Sequence, residues 1–301
     1  MYKIYADYNR VFSNQLHTHL GNKVQHLFYL MNLSFHHKRR PIVYSGSNLD
    51  NIFEYRQDVE ILTEEKNIDF GFIEESAFLE ANRLQKMLNI KIKQSVMDVS
   101  VKSYYQYLKE LNFLYGKLPE RDFMIRGHFW HYDLMPKYEV FNKYILIKNS
   151  LLQQVKFKYP SIDDINSIAV HYRGGDFHTH KRDIFKKSIA LNPEYYKKSL
   201  IKIKKKISSP VFHIFSDELD TILPLFKDEE TVVHKDDAFM DWVSIYLSKN
   251  VIQSNSSFCW TASLYNKKIS IQPEYGYGFN DRIAPVPFGF IHANSEEIKN
   301  E

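Results

Sequence analysis

The sequence predicts an α/β fold of two lobes built on parallel sheets, and three observations predict it. Short β-branched or aromatic runs alternate with longer stretches of helical periodicity. In the second half these runs are apolar throughout, as in SIAVHY at 167–172, the pattern of strands covered on both faces. Three polar clusters, His171–Asp176, Ser216–Glu218 and Ser254–Ser257, directly follow such runs, on the sheet edge where parallel folds hold ligands.

The elements follow in order. MYKIYA reads as a strand. After a polar loop, Gly21-Asn22 opens a helical run through residue 40, in which Val24, Leu27, Phe28 and Met31 recur at three- and four-residue spacing. Pro41 is expected to end that helix and PIVYS to form the next strand, completing a strand–helix–strand unit. Residues 51–150 are rich in Leu, Phe, Tyr and Lys and read as mostly helical, Tyr104–Leu118 in particular. SIAVHY is then a strand, the run from Leu191 to Lys206 a helix with Pro193 near its start, and SPVFHIFSD a strand. Asp220–Phe226 is a short helix or turn, TVVH a strand, and AFMDWVSIYLSKN a helix that Asp237 can cap. VIQSNSSF enters a loop as a strand, CWTASLYNKK is a helix and KISIQP the last strand. The clean alternation begins soon after Pro160, so the lobes are placed at 1–155 and 156–301.

Composition excludes several classes. The mean hydropathy is −0.42, and no apolar run approaches the ~20 residues that span a bilayer. The N-terminus lacks the basic-then-apolar pattern of a secretory signal. A single cysteine, Cys259, cannot form an internal disulfide, which fits a reducing compartment. The net charge of +4 is too small to argue for nucleic acid, although it suits a small polyanion. The basic stretch Lys197–Lys206 reads as the solvated face of an amphipathic helix.

Each polar cluster has two readings. In HYRGGD, Arg173 follows a strand and precedes two glycines, so its fork and the loop amides can grip a diphosphate. It can equally be a tight turn with a surface ion pair. In FSDE, Asp217 and Glu218 can accept hydrogen bonds from a ribose or a guanine, or Ser216 and Asp217 can cap the next helix. In SNSSFCW, hydroxyls and free amides ahead of a helix can bind an anion, cap the helix, or do both. LGNK, with Gly21-Asn22, is a fourth turn-and-cap candidate. Neither His36-His37 nor His178–His180 forms a zinc pattern, and no Asp-x-Asp motif is present, so no metal is expected.

Taken together, these clusters resemble the bacterial α-1,2-fucosyltransferases of glycosyltransferase family 11, and more distantly the α-1,6 and protein O-fucosyltransferases. That family reads L-G-N-Q, H-x-R-R-x-D, F-S-D-D and N-S-T/S-F-S-W-W, where this chain has LGNK, HYRGGD, FSDE and SNSSFCW. AFMDWVSIYLSKNVIQ resembles its D-x-x-L-M-S-x-C-K-H-x-I-I, and KKISIQP its K-x-I-x-P strand. The chain departs from the pattern at Gly174, where the family has a second arginine, at Lys23 for glutamine, at Thr261 for tryptophan, and at His17–His19 for paired glycines.

The resemblance implies a GT-B fold, two Rossmann-like lobes with a cleft between them. It implies inverting transfer of fucose from GDP-fucose to a galactose-containing oligosaccharide or lipid-linked glycan. The C-terminal lobe would hold the donor and the N-terminal lobe the acceptor, with no metal and no cofactor. By position, Arg173 is the donor-binding arginine and His171 shapes its loop. Asp217 and Glu218 would face guanosine, Asn255, Ser256 and Ser257 the phosphates, and Asn22 would lie across the cleft. Lys23 would restore there the charge absent at Gly174. Asp176 and His178 are candidate bases. The expected setting is the cytoplasm, at most peripheral to the inner membrane, in synthesis of surface polysaccharide such as O-antigen. The alternatives are another GT-B transferase, a GDP-sugar-binding protein without turnover, and a nucleic-acid module using Lys197–Lys206.

Overall fold

The computed structural model describes residues 2–6, 19–45, 48–63, 114–116, 118, 120–125, 134–179, 181–182, 187–188, 190–265, 267–273 and 290–292. The chain divides into two compact units, the first running to Lys148 and the second beginning at Asn149.

The first unit contains a four-stranded parallel sheet. Strand β1 (Lys3–Ala6) is followed by helix α1 (Leu20–His36), β2 (Arg40–Tyr44), β3 (Phe53–Tyr55), β4 (Glu60–Leu62) and β5 (Phe123–Ile125). The sheet order is β4-β2-β1-β5. Helix α2 (Tyr138–Tyr144) leads into β6 (Ile145–Ile147), which pairs antiparallel with β3. Phe28 of α1 meets Phe53 and Phe141 edge to face, with ring centroids 6.1 and 5.4 Å apart.

Two expectations change here. Helix α1 ends at His36, not at Pro41: Lys38 takes a left-handed φ of 51°, and Pro41 is the second residue of β2. The described part of 51–150 is not mostly helical, because short strands of bulky residues alternate with α2. Most of the helix expected over 104–118 lies outside the described residues.

The second unit opens with α3 (Asn149–Lys158), which runs through the residue-155 boundary expected from sequence. There follow β7 (Ser167–Tyr172), α4 (Asp176–Thr179), β8 (Lys181–Arg182), β9 (Lys187–Ser188), α5 (Pro193–Lys204), β10 (Val211–Ser216), α6 (Leu219–Ile222) and β11 (Glu230–Val233). The unit closes with α7 (Ala238–Leu247), β12 (Asn250–Ile252), α8 (Ser257–Ala262), β13 (Ile269–Gln272) and β14 (Phe290–His292). The six-stranded sheet is parallel throughout, in the order β11-β10-β7-β12-β13-β14. Strand β14, absent from the sequence reading, extends it beyond KISIQP.

Strand alternation splits the sheet into two buried faces. On one face Ile168, Val170, Tyr172, Phe212 and Ile214 pack with Leu191, Tyr195, Tyr196 and Ile203. On the other, Phe215 lies 4.0 Å from the ring of His234, which also contacts Tyr159. Every residue of β7 is therefore buried, which is why its sequence does not alternate. Asn192 caps α5 by accepting the Glu194 amide, and Asp237 caps α7 by accepting those of Phe239 and Met240. The lysines of α5 lie on its solvent side, Lys197 paired with Glu194 and Lys204 with Glu229.

Candidate functional site

Because β10, β7 and β12 are adjacent and parallel, their carboxyl ends lie side by side, and the three polar clusters meet there. Strand β7 is also where the order reverses: the chain runs outward to β10 and β11, then returns to β12 on the other side. Such a reversal leaves a crevice beyond the strand ends.

Arg173 leaves the end of β7 with two carboxylates on its guanidinium. Nη1 donates to Oδ2 of Asp217 at 2.8 Å, and Nη2 to Oδ1 of Asp176 at 2.6 Å. Its Cζ stands 5.6 Å from the centre of the Phe177 ring. These two ion pairs use two of its five N–H donors and hold the fork in one orientation. The other oxygen of Asp217, Oδ1, accepts the Gly174 amide at 2.8 Å.

Each glycine suits its place, one by backbone angle and one by close approach. Gly175 has φ +38°, and a Cβ on Gly174 would lie 2.1 Å from Oε2 of Glu218. Glu218 is itself fixed: Oε2 pairs with Nε2 of His178 at 2.6 Å, and Oε1 accepts the Thr221 hydroxyl. Its amide donates to Oγ of Ser216 at 2.8 Å. Neither Ser216 nor Asp217 caps the following helix, whose N-cap is Glu218 without a side-chain cap bond: Ser216 closes a local turn onto the Glu218 amide, and Asp217 turns toward the Arg173 loop.

On the other side of β7, His171 Nδ1 lies 2.6 Å from Oγ of Ser254. Its ring packs on Phe258, with centroids 5.5 Å apart. Burial, and then the Arg173 charge, push the imidazole down to about 3, so it is neutral and serves as structure. Two tyrosines of α5 brace the loops: Tyr196 donates to the His171 carbonyl at 2.9 Å and Tyr195 to that of Gln253 at 2.7 Å. Ser256 caps α8, accepting the Phe258 amide at 3.3 Å, and α8 begins at Ser257, ahead of the helix start expected at Cys259. Asn255 is buried beside it.

The structure thus unites Arg173, Asp176, His178, Asp217 and Glu218 in one network, with His171 joined to the Ser254–Ser257 loop. Asn22 and Lys23 belong to the other unit, in the first turn of α1, which starts at Leu20. Lys23 is buried, 3% exposed, and none of the described carboxylates pairs with it. Burial lowers its ammonium pKa. Sequence reasoning did not find the His171–Ser254 bond, the tyrosine braces or the Gly174–Glu218 contact. The strand register that creates them is not visible in the motifs.

Residues 72–273 match the family described as Glycosyl transferase family 11. Among solved structures, a NodZ α-1,6-fucosyltransferase soaked with GDP-fucose is 12% identical, with a TM-score of 0.52 over 90% of this chain and 94% of that one. The fucosyltransferase NodZ from Bradyrhizobium is 12% identical, with a TM-score of 0.50 over 87% and 91%. POFUT1 in complex with GDP-fucose is 11% identical, with a TM-score of 0.49 over 90% and 97%. At these identities the two NodZ likenesses speak for the fold alone. No curated protein matches the chain.

Proposed function

This chain belongs to glycosyl transferase family 11, and from that premise we propose that it transfers L-fucose from GDP-β-L-fucose to the 2-hydroxyl of a galactose-containing acceptor. The observation that carries the reading is Arg173, held by Asp217 and Asp176 at the strand reversal beside the Ser254–Ser257 loop. In this reading the fold is of the GT-B class, with the second unit holding the donor and the first the acceptor.

The acceptor oxygen attacks C1 of fucose as the bond from C1 to the diphosphate oxygen breaks. GDP leaves with the electron pair, and the anomeric centre inverts from β to α. The remaining donors of the Arg173 fork, with the Ser256 and Ser257 groups, meet the charge that develops on the leaving diphosphate. Pre-organised donors of this kind do such work without a metal or cofactor. Asn22 and the desolvated cation Lys23, both in the first turn of α1, are the first unit's candidates for a role in donor binding. Asp217 and Glu218 contribute by building the loop and face guanosine with their remaining lone pairs; Asn255 lines the phosphate side.

Of the two candidate bases, the contacts favour His178: Asp176 is committed to Arg173, whereas His178 meets Glu218 through Nε2 and leaves Nδ1 for the acceptor proton. No helix among the described residues is long and apolar enough to cross a membrane. The setting proposed is cytoplasmic, at most peripheral to the inner membrane, in surface polysaccharide (O-antigen) synthesis.

The test is incubation with GDP-fucose and galactose-terminated acceptors in the presence of a chelator, with Arg173→Ala beside the wild type. GDP release and product linkage are read together. An α-1,2 product that survives chelation and disappears in the variant is the expected result. GDP binding without transfer to any acceptor would overturn the catalytic reading, and transfer to another hydroxyl would overturn the linkage.

A further inference from the structure

A second cluster of chemistry-bearing side chains lies away from the Arg173 network, where β11 passes into α7. His234 immediately follows β11, Asp236 precedes the Asp237 cap, and Asp241 lies in the first turn of α7. One ligand-capable atom from each of His234, Asp236 and Asp241 falls within 4.8 Å of the other two.

The two ring nitrogens of His234 face different neighbours. His213, on β10, lies 3.2 Å from Oγ of Ser161 through its Nε2. Its Nδ1 lies 2.9 Å from Nε2 of His234. That contact occupies Nε2 of His234 and leaves Nδ1 as the nitrogen open to a ligand.

That Nδ1 is buried without a hydrogen-bond partner in a residue 2% exposed, and Oδ1 of Asp241 is a second buried atom without one. One imidazole nitrogen and carboxylate oxygens therefore gather there. Asp236 already accepts from Tyr159 and Lys158, so an ion would share Asp236 with that ammonium or displace it. Such a donor set suits a metal cation.

We propose that His234 Nδ1, Asp236 and Asp241 form a site for a divalent ion of the zinc class, with water completing the coordination. One nitrogen and two carboxylate oxygens are a zinc-type donor set, and the Ser161–His213–His234 chain is the outer-shell support that orients a ligating imidazole. Bonds of about 2.0–2.2 Å require ligand atoms that lie within 4.8 Å of one another to close to roughly 3.4 Å. The ion would clip β11 to α7 and, through His213, to the segment around Ser161. It takes no part in the transfer reaction and does not depend on the donor being GDP-fucose.

The experiment uses untagged, chelator-stripped full-length protein titrated with Zn2+ by calorimetry, with Mg2+ in parallel, and thermal melting with and without Zn2+. Stoichiometric zinc binding that weakens at least tenfold in Asp241→Asn and in His234→Gln, with the zinc-dependent rise in Tm lost in both, is the expected result. If either variant folds poorly, His213→Gln, which leaves all three ligands in place, should weaken zinc more modestly. Zinc binding unchanged in Asp241→Asn, no stoichiometric zinc binding by the wild type, or Mg2+ binding as tightly as Zn2+ would each overturn the site.

Discussion

Asp217 joins Arg173 to Gly174 with a single carboxylate: one oxygen takes the guanidinium at 2.8 Å and the other takes the glycine amide at 2.8 Å. The residue that orients the cation also sets the path of the loop that follows it. Asp217→Asn keeps the shape but loses the charge, so Arg173 is held less firmly. A charge-assisted bond contributes about 1.5–3 kcal/mol, which corresponds to a fall of roughly 10–100-fold in kcat/KM. Steady-state kinetics with GDP-fucose checks this, and an unchanged kcat/KM would show that Arg173 needs no such support.

Gly174 and Glu218 are a matched pair. A methyl group on Gly174 would sit 2.1 Å from the Glu218 carboxylate, so Gly174→Ala must push that carboxylate away from His178 and Thr221. Gly174→Ala alone should cost about 1–3 kcal/mol, as overpacking does. In a Glu218→Ala background the same change should be nearly free. Denaturant unfolding of the four proteins gives the coupling directly, and additive effects would mean that the two do not compete for space.

Acid should weaken the second unit through its buried histidines. His171 is held down to about 3, below its ordinary value of about 6.5. Between those values the unfolded chain binds a proton that the folded chain does not, so stability is full above pH 6.5 and falls as the pH drops toward 3. The slope is about 1.4 kcal/mol per pH unit for each such group. His213 and His234, also lowered by burial, add in the same direction. Unfolding free energies measured from pH 7 to pH 4 should show this slope, and His171→Gln should lessen it.

Lys23 sets stability against function. Its ammonium is buried with no carboxylate partner among the described residues, so Lys23→Met should raise Tm by removing a desolvated charge. If that charge serves the diphosphate, the same variant should raise the KM for GDP-fucose about tenfold or more. A gain in Tm with an unchanged KM would separate Lys23 from the donor.

Legibility from sequence followed local pattern. Ser167–Tyr172 was readable to the residue because both faces of β7 are buried, so its apolar run has sharp ends. The Asp237 cap and the Pro193 start of α5 were readable because each acts within one turn. The site residues were readable as clusters but not as partners. His171 meets Ser254 only because β12 pairs with β7 in one register, Ile252 opposite Val170, and no motif encodes a register. For the same reason Asp217 read as a nucleotide contact or a cap, although its first role is to hold a loop 43 residues earlier in the chain. Pro41 misled because a proline is tolerated near the start of a strand as readily as beyond a helix end.

The paired tyrosines of α5 carry an evolutionary consequence. Tyr195 and Tyr196 fasten the loops on the two sides of the strand reversal, while the lysines of the same helix face solvent. Selection can therefore recolour the outside of α5, reversing its charge or changing what it meets in the cell, without disturbing the chemistry beneath. A saturation library across this helix should split into two tiers: near-free substitution at Lys197 and Lys204, and a narrow aromatic alphabet one or two positions before Lys197.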